Sequence, residues 1–101
     1  MNVFHATSSV AAAAIEREGF RDANFLGIAT GVCVSDRPLD AADGVARHCD
    51  VVFCIATPSE TALGEFEIEE EGRPSEAYRE WLVPAAVLDL WPRNRHVEVD
   101  D

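Results

Sequence analysis

Val3-Phe4-His5-Ala6-Thr7, followed at once by Ser8-Ser9-Val10 and the alanine run that leads to Glu18-Gly19-Phe20, is the stretch whose reading decides the fold. Asn2 to His5 reads as a short first strand that delivers His5 and Thr7 to its end. Ser9 to Glu18 reads as a helix, because alanine is the best helix former and Ala11 and Ile15 share one face. Thr7, Ser8 or Ser9 can cap it, since a hydroxyl accepts from the free backbone amides of a first turn. Gly19 supplies the left-handed residue that stops the helix, and Phe20 folds back over the core. A strand that ends in a His and a Thr beneath a capped helix is a way to build the floor of a pocket.

Two later segments fit the same picture: Gly31-Val32-Cys33-Val34-Ser35-Asp36 and Tyr78-Arg79-Glu80-Trp81-Leu82-Val83-Pro84. Gly31 to Ser35 reads as a strand, and Trp81 to Val83 as another ended by Pro84. Between the first helix and Gly31, residues Arg21 to Thr30 read as loop. Asp36-Arg37-Pro38 turns the chain into a short, weak helix over Leu39 to Arg47, with Pro38 at its first position and Gly44 weakening it. Asp50 to Ala56 is the most convincing buried strand. Thr57 to Glu60 starts a turn or short helix, and Glu65 to Glu69 alternates like a half-exposed strand. Glu70 to Ser75 is a charged loop, and Glu76 to Arg79 one helical turn. Ala86 to Trp91 looks strand-like, and His96 to Val99 alternates like an edge strand. Short strands with two helices in the first half make an α+β pattern rather than alternating βαβ units.

The chain has 101 residues, which predicts one domain with a modest core. No apolar run approaches the roughly 20 residues that span a bilayer, and no basic-then-apolar leader is seen, so the expectation is a cytoplasmic protein with no membrane partner. The formal net charge is −11, and all the basic residues are arginine. Such a field repels phosphate backbones, which argues against binding of free nucleic acid. The acid is concentrated from Glu60 to Glu80. It reads either as a solvated face or as a surface that docks on a basic protein partner. Cys33, Cys49 and Cys54 form no C-x-x-C pair, so structural zinc is not expected and no metal ligands are assigned.

There is no Gly-rich phosphate loop, no Ser elbow and no H-E-x-x-H. His5 at a strand end can bind a hydroxyl or take a proton near neutral pH, or it can be a satisfied structural histidine. Thr7 is a helix cap or a ligand contact. Glu80 borders an apolar strand, where a carboxylate can stabilise a developing cation or bind a sugar hydroxyl; the alternative is an ion pair with Arg79 or another arginine.

Taken in order, Phe-His-Ala-Thr-Ser with its helix ending in Glu-Gly-Phe, then Gly-Val-Cys-Val-Ser-Asp, then Arg-Glu-Trp-Leu-Val-Pro, resemble the ADP-ribosyltransferase fold. The similarity is to the branch with His, Tyr and Glu on three separate strands, as in diphtheria toxin and the poly-ADP-ribose polymerases. It covers nearly the whole chain through a few short motifs. The resemblance implies compact split antiparallel sheets and NAD as substrate. Nicotinamide would leave and ADP-ribose would pass to an acceptor protein or to water. His5 would match the family His that bonds the adenosine ribose, and Ala6 the position, often Gly, that holds the nicotinamide amide through backbone groups. Glu80 would match the Glu that bonds the nicotinamide ribose and favours the oxocarbenium-like transition state. Thr7 and Arg79 would hold phosphate or ribose. Cys33 stands where the family has the Tyr that stacks on nicotinamide. The family's nicotinamide-binding Ser falls near Ala41, or on Ser35 in another register. In this fold His5 and Glu80 should face one cleft across about 10 Å or less. A sister branch moves a 2′-phosphate from RNA to NAD, but this acidic chain offers few groups for it. A domain this small suits a bacterial or phage effector. The same fold without catalysis would suit an acidic inhibitor of a basic partner.

Overall fold

A computed structural model describes residues 1–25, 29–38, 49–68 and 78–96. The helix expected over 39–47, the charged loop over 70–75 and the strand expected beyond His96 lie outside the described residues. The chain starts with β1 (Asn2–Thr7) and α1 (Ser9–Glu18). A hairpin of β2 (Ala23–Phe25) and β3 (Ala29–Ser35) follows, then β4 (Val51–Ala56). A 3-10 helix, Thr61–Phe66, runs into the short β5 (Glu67–Ile68). The chain closes with β6 (Glu80–Val83), α2 (Ala85–Leu88) and β7 (Arg93–Arg95).

The strands run in the order β5-β6-β3-β1-β4-β7, with β2 on the outer part of β3, and every described pairing is antiparallel. The architecture is α+β: one antiparallel sheet with short helices. Val3, Phe53, Ile55, Val34, Trp81 and Val83 alternate onto one face and are almost wholly buried against Ile15 of α1, Phe20, Leu63 and Leu88. Burial of these apolar side chains supplies about 1.5–3 kcal/mol each, against the chain entropy that folding removes.

The end of α1 is fixed by both local and distant groups. Ser8 is the cap, its hydroxyl accepting from the Ala11 amide at 3.1 Å. Gly19 closes the helix with φ 89°, and its amide donates to the Ile15 carbonyl at 2.8 Å. Just beyond, the Phe20 amide donates to Asp89 at 3.0 Å, and Asp22 accepts from the Ala85 amide at 2.8 Å. Two carboxylates thus pin the segment after α1 to α2.

Several expectations are corrected. The stretch expected to be loop from Arg21 to Thr30 contains β2 and the first residues of β3. Ala86 to Trp91 is not a strand: Pro84 sets the entry, and Ala85–Leu88 turn helically, capped from across the molecule by Asp22. The edge position beside β4 is taken by Arg93–Arg95. In the strand expected from Glu65 to Glu69, Glu65 and Phe66 are instead the end of the 3-10 helix, and among the described residues Glu67–Ile68 pair.

Candidate functional site

The first strand and the third part company almost as soon as they meet. β1 is paired with β4 along its whole length, from Asn2↔Ala56 to Thr7↔Val51. Toward β3 its ladder is the single pair Phe4↔Ser35. Beyond it the sheet forks, and the backbone of residues 5–7 on that side has no ladder partner among the described residues. The His5 imidazole bridges the start of the fork, with Nδ1 2.8 Å from the Cys33 carbonyl oxygen.

The fork opens into a cavity of about 470 Å³, within the size range of small-molecule sites. His5, Ala6 and Thr7 form one wall, and Gly31, Val32, Cys33 and Leu82 the other. The cap Ser8 and Ala11, Ala14 and Ile15 of α1 cover it, and Gly19 to Arg21, Ala23, Asn24 and Cys49 complete the lining. The alanine run explains why there is room: small side chains on the inner face of α1 leave the space that larger ones would fill. In a chain with 19 acidic residues, the described lining holds no carboxylate. Its charged member is Arg21, whose exposed guanidinium reaches Glu18 at 3.3 Å.

The polar atoms in this lining have defined roles. A carbonyl only accepts, so His5 Nδ1 carries the proton of that hydrogen bond. Burial lowers the His5 pKa from its ordinary value of 6.5, and the bond to Cys33 partly offsets this. The neutral ring then presents Nε2 as an acceptor. The ring also stands edge-on to Phe20, with centroids 5.7 Å apart, which fixes its tilt. Thr7 is 8% exposed and lines the cavity; among the described residues the buried side-chain polar atom without a partner is Trp81 Nε1.

The site residues expected from sequence separate into two groups. His5, Ala6, Thr7 and Cys33 meet in the cavity. Ser35, Arg79 and Glu80 do not line it. The buried Ser35 hydroxyl is 2.8 Å from the Arg37 carbonyl and 3.4 Å from that of Phe4. Arg79 is held by Glu67, with Nε at 2.8 Å, and by Glu60. These hydrogen bonds push its pKa further up, and its guanidinium lies over the Trp81 ring at 5.1 Å. Glu80 is half-buried and paired with Ser35 and Ile68.

Directly paired residues share a sheet face. Phe4, Ser35 and Glu80 therefore lie on one face, and His5, one residue past Phe4, on the other, so the expectation that His5 and Glu80 face one cleft is corrected: His5 lines the cavity and Glu80 does not. Leu82 and Cys33 belong to the face of Glu80, yet both line the cavity with His5. The fork thus reaches both faces. Glu80 stands one side-chain step, about 7 Å along the strand, from Leu82.

Sequence reasoning missed Ser8, Asn24 and Arg21 as parts of the lining. The last had a visible signal, since a helix that stops at Gly19-Phe20 beside the pocket floor throws the next side chain toward its rim. A second, more open groove of about 460 Å³ runs along β7 past Trp91, Arg93 and Arg95. Its arginines are engaged: Arg93 donates to the Ile15 carbonyl at 2.9 Å, and Arg95 pairs with Glu16. No group of His, Cys, Asp and Glu among the described residues is placed to hold a metal ion. Comparison with family models, curated proteins and solved structures finds no match for this chain.

Proposed function

We propose that the fork between β1 and β3 is a nucleotide site. Its ligand is NAD, and the protein is a minimal ADP-ribosyltransferase-like enzyme of the His-Tyr-Glu type. The observation that carries this reading is the convergence of His5, Ala6, Thr7 and Cys33 on one cavity whose described lining holds no carboxylate, at the place where two motif strands separate. The neutral His5 ring offers an acceptor at Nε2, which suits a ribose hydroxyl. The edge of β1 around Ala6, unpaired among the described residues, offers backbone donors and acceptors, which suits the carboxamide of nicotinamide. The apolar wall of Ile15, Phe20, Val32 and Leu82 suits a flat ring.

In this reading the nicotinamide ribose lies toward Leu82 and Glu80. As the C–N bond to nicotinamide breaks, positive charge grows on the ribose, and the Glu80 carboxylate stabilises it. Nicotinamide leaves with the bonding pair, and an acceptor nucleophile or water attacks the same carbon. Cys33 does not supply the ring stacking that a tyrosine there would provide, so the expected turnover is slow.

The test is nicotinamide release from NAD by the purified protein. Wild type should release it, and Glu80→Ala should slow release by about 10²-fold or more, the scale of a transition-state electrostatic group. Release that Glu80→Ala leaves untouched removes Glu80 from the mechanism. A second reading is favoured by one observation: Glu80 is not part of the cavity lining. There the fold is a non-catalytic, acidic binding protein for a basic partner. Tight NAD binding with no release, or no NAD binding at all, would favour that reading.

A further inference from the structure

Resting on the NAD reading of the fork, we infer that Leu82 is a specificity-determining residue of the site: seated in the recess left by the missing side chain of Gly31, it walls the nicotinamide end of the ligand and sets the room there. Gly31 is buried and lies inside β3. A glycine inside a strand costs stability, and it marks a bulge or a close approach by a ligand or another segment. Backbone conformation does not require it, since the described glycine with positive φ is Gly19. Space does. A Cβ built on Gly31 falls 2.8 Å from Leu82 Cγ and 3.1 Å from its Cδ1, with the Val83 carbonyl oxygen at 3.3 Å. The Leu82 side chain therefore fills the place that a side chain at position 31 would take.

The register gives this contact a direction. Leu82 pairs directly with Cys33, and Gly31, on the same face of β3, is its diagonal neighbour. Glu80 pairs with Ser35, the diagonal neighbour on the other side. By leaning onto Gly31, Leu82 leans away from Glu80. Gly31 and Leu82 both line the cavity, so the recess keeps open the step between the cavity and the Glu80 carboxylate. A side chain at position 31 would drive Leu82 back along β6 toward Glu80, into the space that the nicotinamide ribose takes in this reading.

The experiment titrates NAD and ADP by calorimetry into wild type, Gly31→Ala, Leu82→Ala and the double variant, with thermal melts to check folding. ADP lacks the nicotinamide ring and its ribose. Gly31→Ala should weaken NAD about tenfold or more, the scale on which an apolar pocket responds to one surplus carbon, and ADP by less than about twofold. Leu82→Ala removes the group that Gly31→Ala displaces. The double variant should therefore bind NAD as Leu82→Ala does, within about twofold. NAD affinity untouched by Gly31→Ala overturns the inference. So does a double variant that falls below Leu82→Ala by the full effect of Gly31→Ala, which would assign the loss to the strand itself. Equal losses for NAD and ADP overturn it too, because Leu82 would not then wall the nicotinamide end. Should Gly31→Ala fail to fold, Leu82→Ala carries the test: the lost wall should weaken NAD about threefold or more and leave ADP unchanged, and unchanged NAD binding overturns the inference. The fate of the underlying reading is separable. Wild type that binds neither NAD nor ADP rejects the nucleotide site, and the role of Leu82 with it. NAD binding without the expected pattern keeps the site and rejects the role. The expected pattern with no nicotinamide release keeps the role and rejects the transferase.

Discussion

His5 is the residue on which the site and the sheet both depend. Its Nδ1–H replaces a ladder hydrogen bond to Cys33 where β1 and β3 diverge, and its ring packs against Phe20. A charged imidazole is disfavoured there, because burial outweighs the bond to Cys33 and lowers its pKa. The folded protein therefore binds this proton less readily than the unfolded chain does. Its contribution to stability is level above the ordinary value of 6.5 and falls as the pH drops from there toward the lowered folded value. The expected result is a melting temperature that declines between pH 7.5 and 5.5, with a smaller decline in His5→Asn, whose amide nitrogen can keep the bond to Cys33 without titrating. Thermal unfolding of both proteins at the two pH values checks it. Equal declines would assign the acid sensitivity to another group.

At the scale of elements, the junction after α1 is the point of greatest leverage. Gly19 has φ 89°, and a Cβ built there falls 2.8 Å from the Asp89 carboxylate, the group that accepts from Phe20. Gly19→Ala therefore meets backbone strain and also displaces an inter-element hydrogen bond. The expected cost is about 1–3 kcal/mol, the sum of a left-handed alanine and a disturbed bond, or roughly 5–15 °C in melting temperature for a domain of this size. Adding Asp89→Ala to Gly19→Ala should cost less than it does alone, because the clash is gone; additive costs would show that strain alone acts. The stop at Gly19 was legible in the sequence because it is local: Ser8, the alanines and Gly19 write a complete helix in consecutive residues. The apolar runs of β1, β4 and β6 were legible for the same reason. What was not legible depends on distant partners. Ala85–Leu88 turn helically under a cap from Asp22, which is 63 positions away, and Arg93–Arg95 pair with β4 without any apolar alternation to announce it. The site divides in the same way. His5, Ala6, Thr7 and Cys33 were found together because strand motifs carry them. The placement of Glu80 relative to His5 turns on a one-residue parity across two ladders, which no single-strand pattern encodes.

At the scale of the whole molecule, charge is unevenly distributed. The chain carries −11 overall, whereas the described lining of the cavity has no acid and a single arginine. An approaching dinucleotide monoanion is repelled at long range and accepted at short range. Added salt screens the first effect over about 8–10 Å and touches buried contacts much less. NAD or ADP affinity should thus hold steady or rise by up to about twofold between 20 and 300 mM sodium chloride. That is the reverse of a phosphate site built on an exposed basic patch, which weakens with salt. A docking surface for a basic partner has the opposite sign again. Its attraction is the long-range field itself, so binding of an arginine-rich peptide should fall by tenfold or more over the same range. Titrations with ADP and with the peptide at the two ionic strengths separate the readings in one set of measurements. Nucleotide affinity that collapses with salt would locate the anion on exposed arginines outside the fork. A peptide that binds tightly at both ionic strengths would remove the acidic field as the source of recognition.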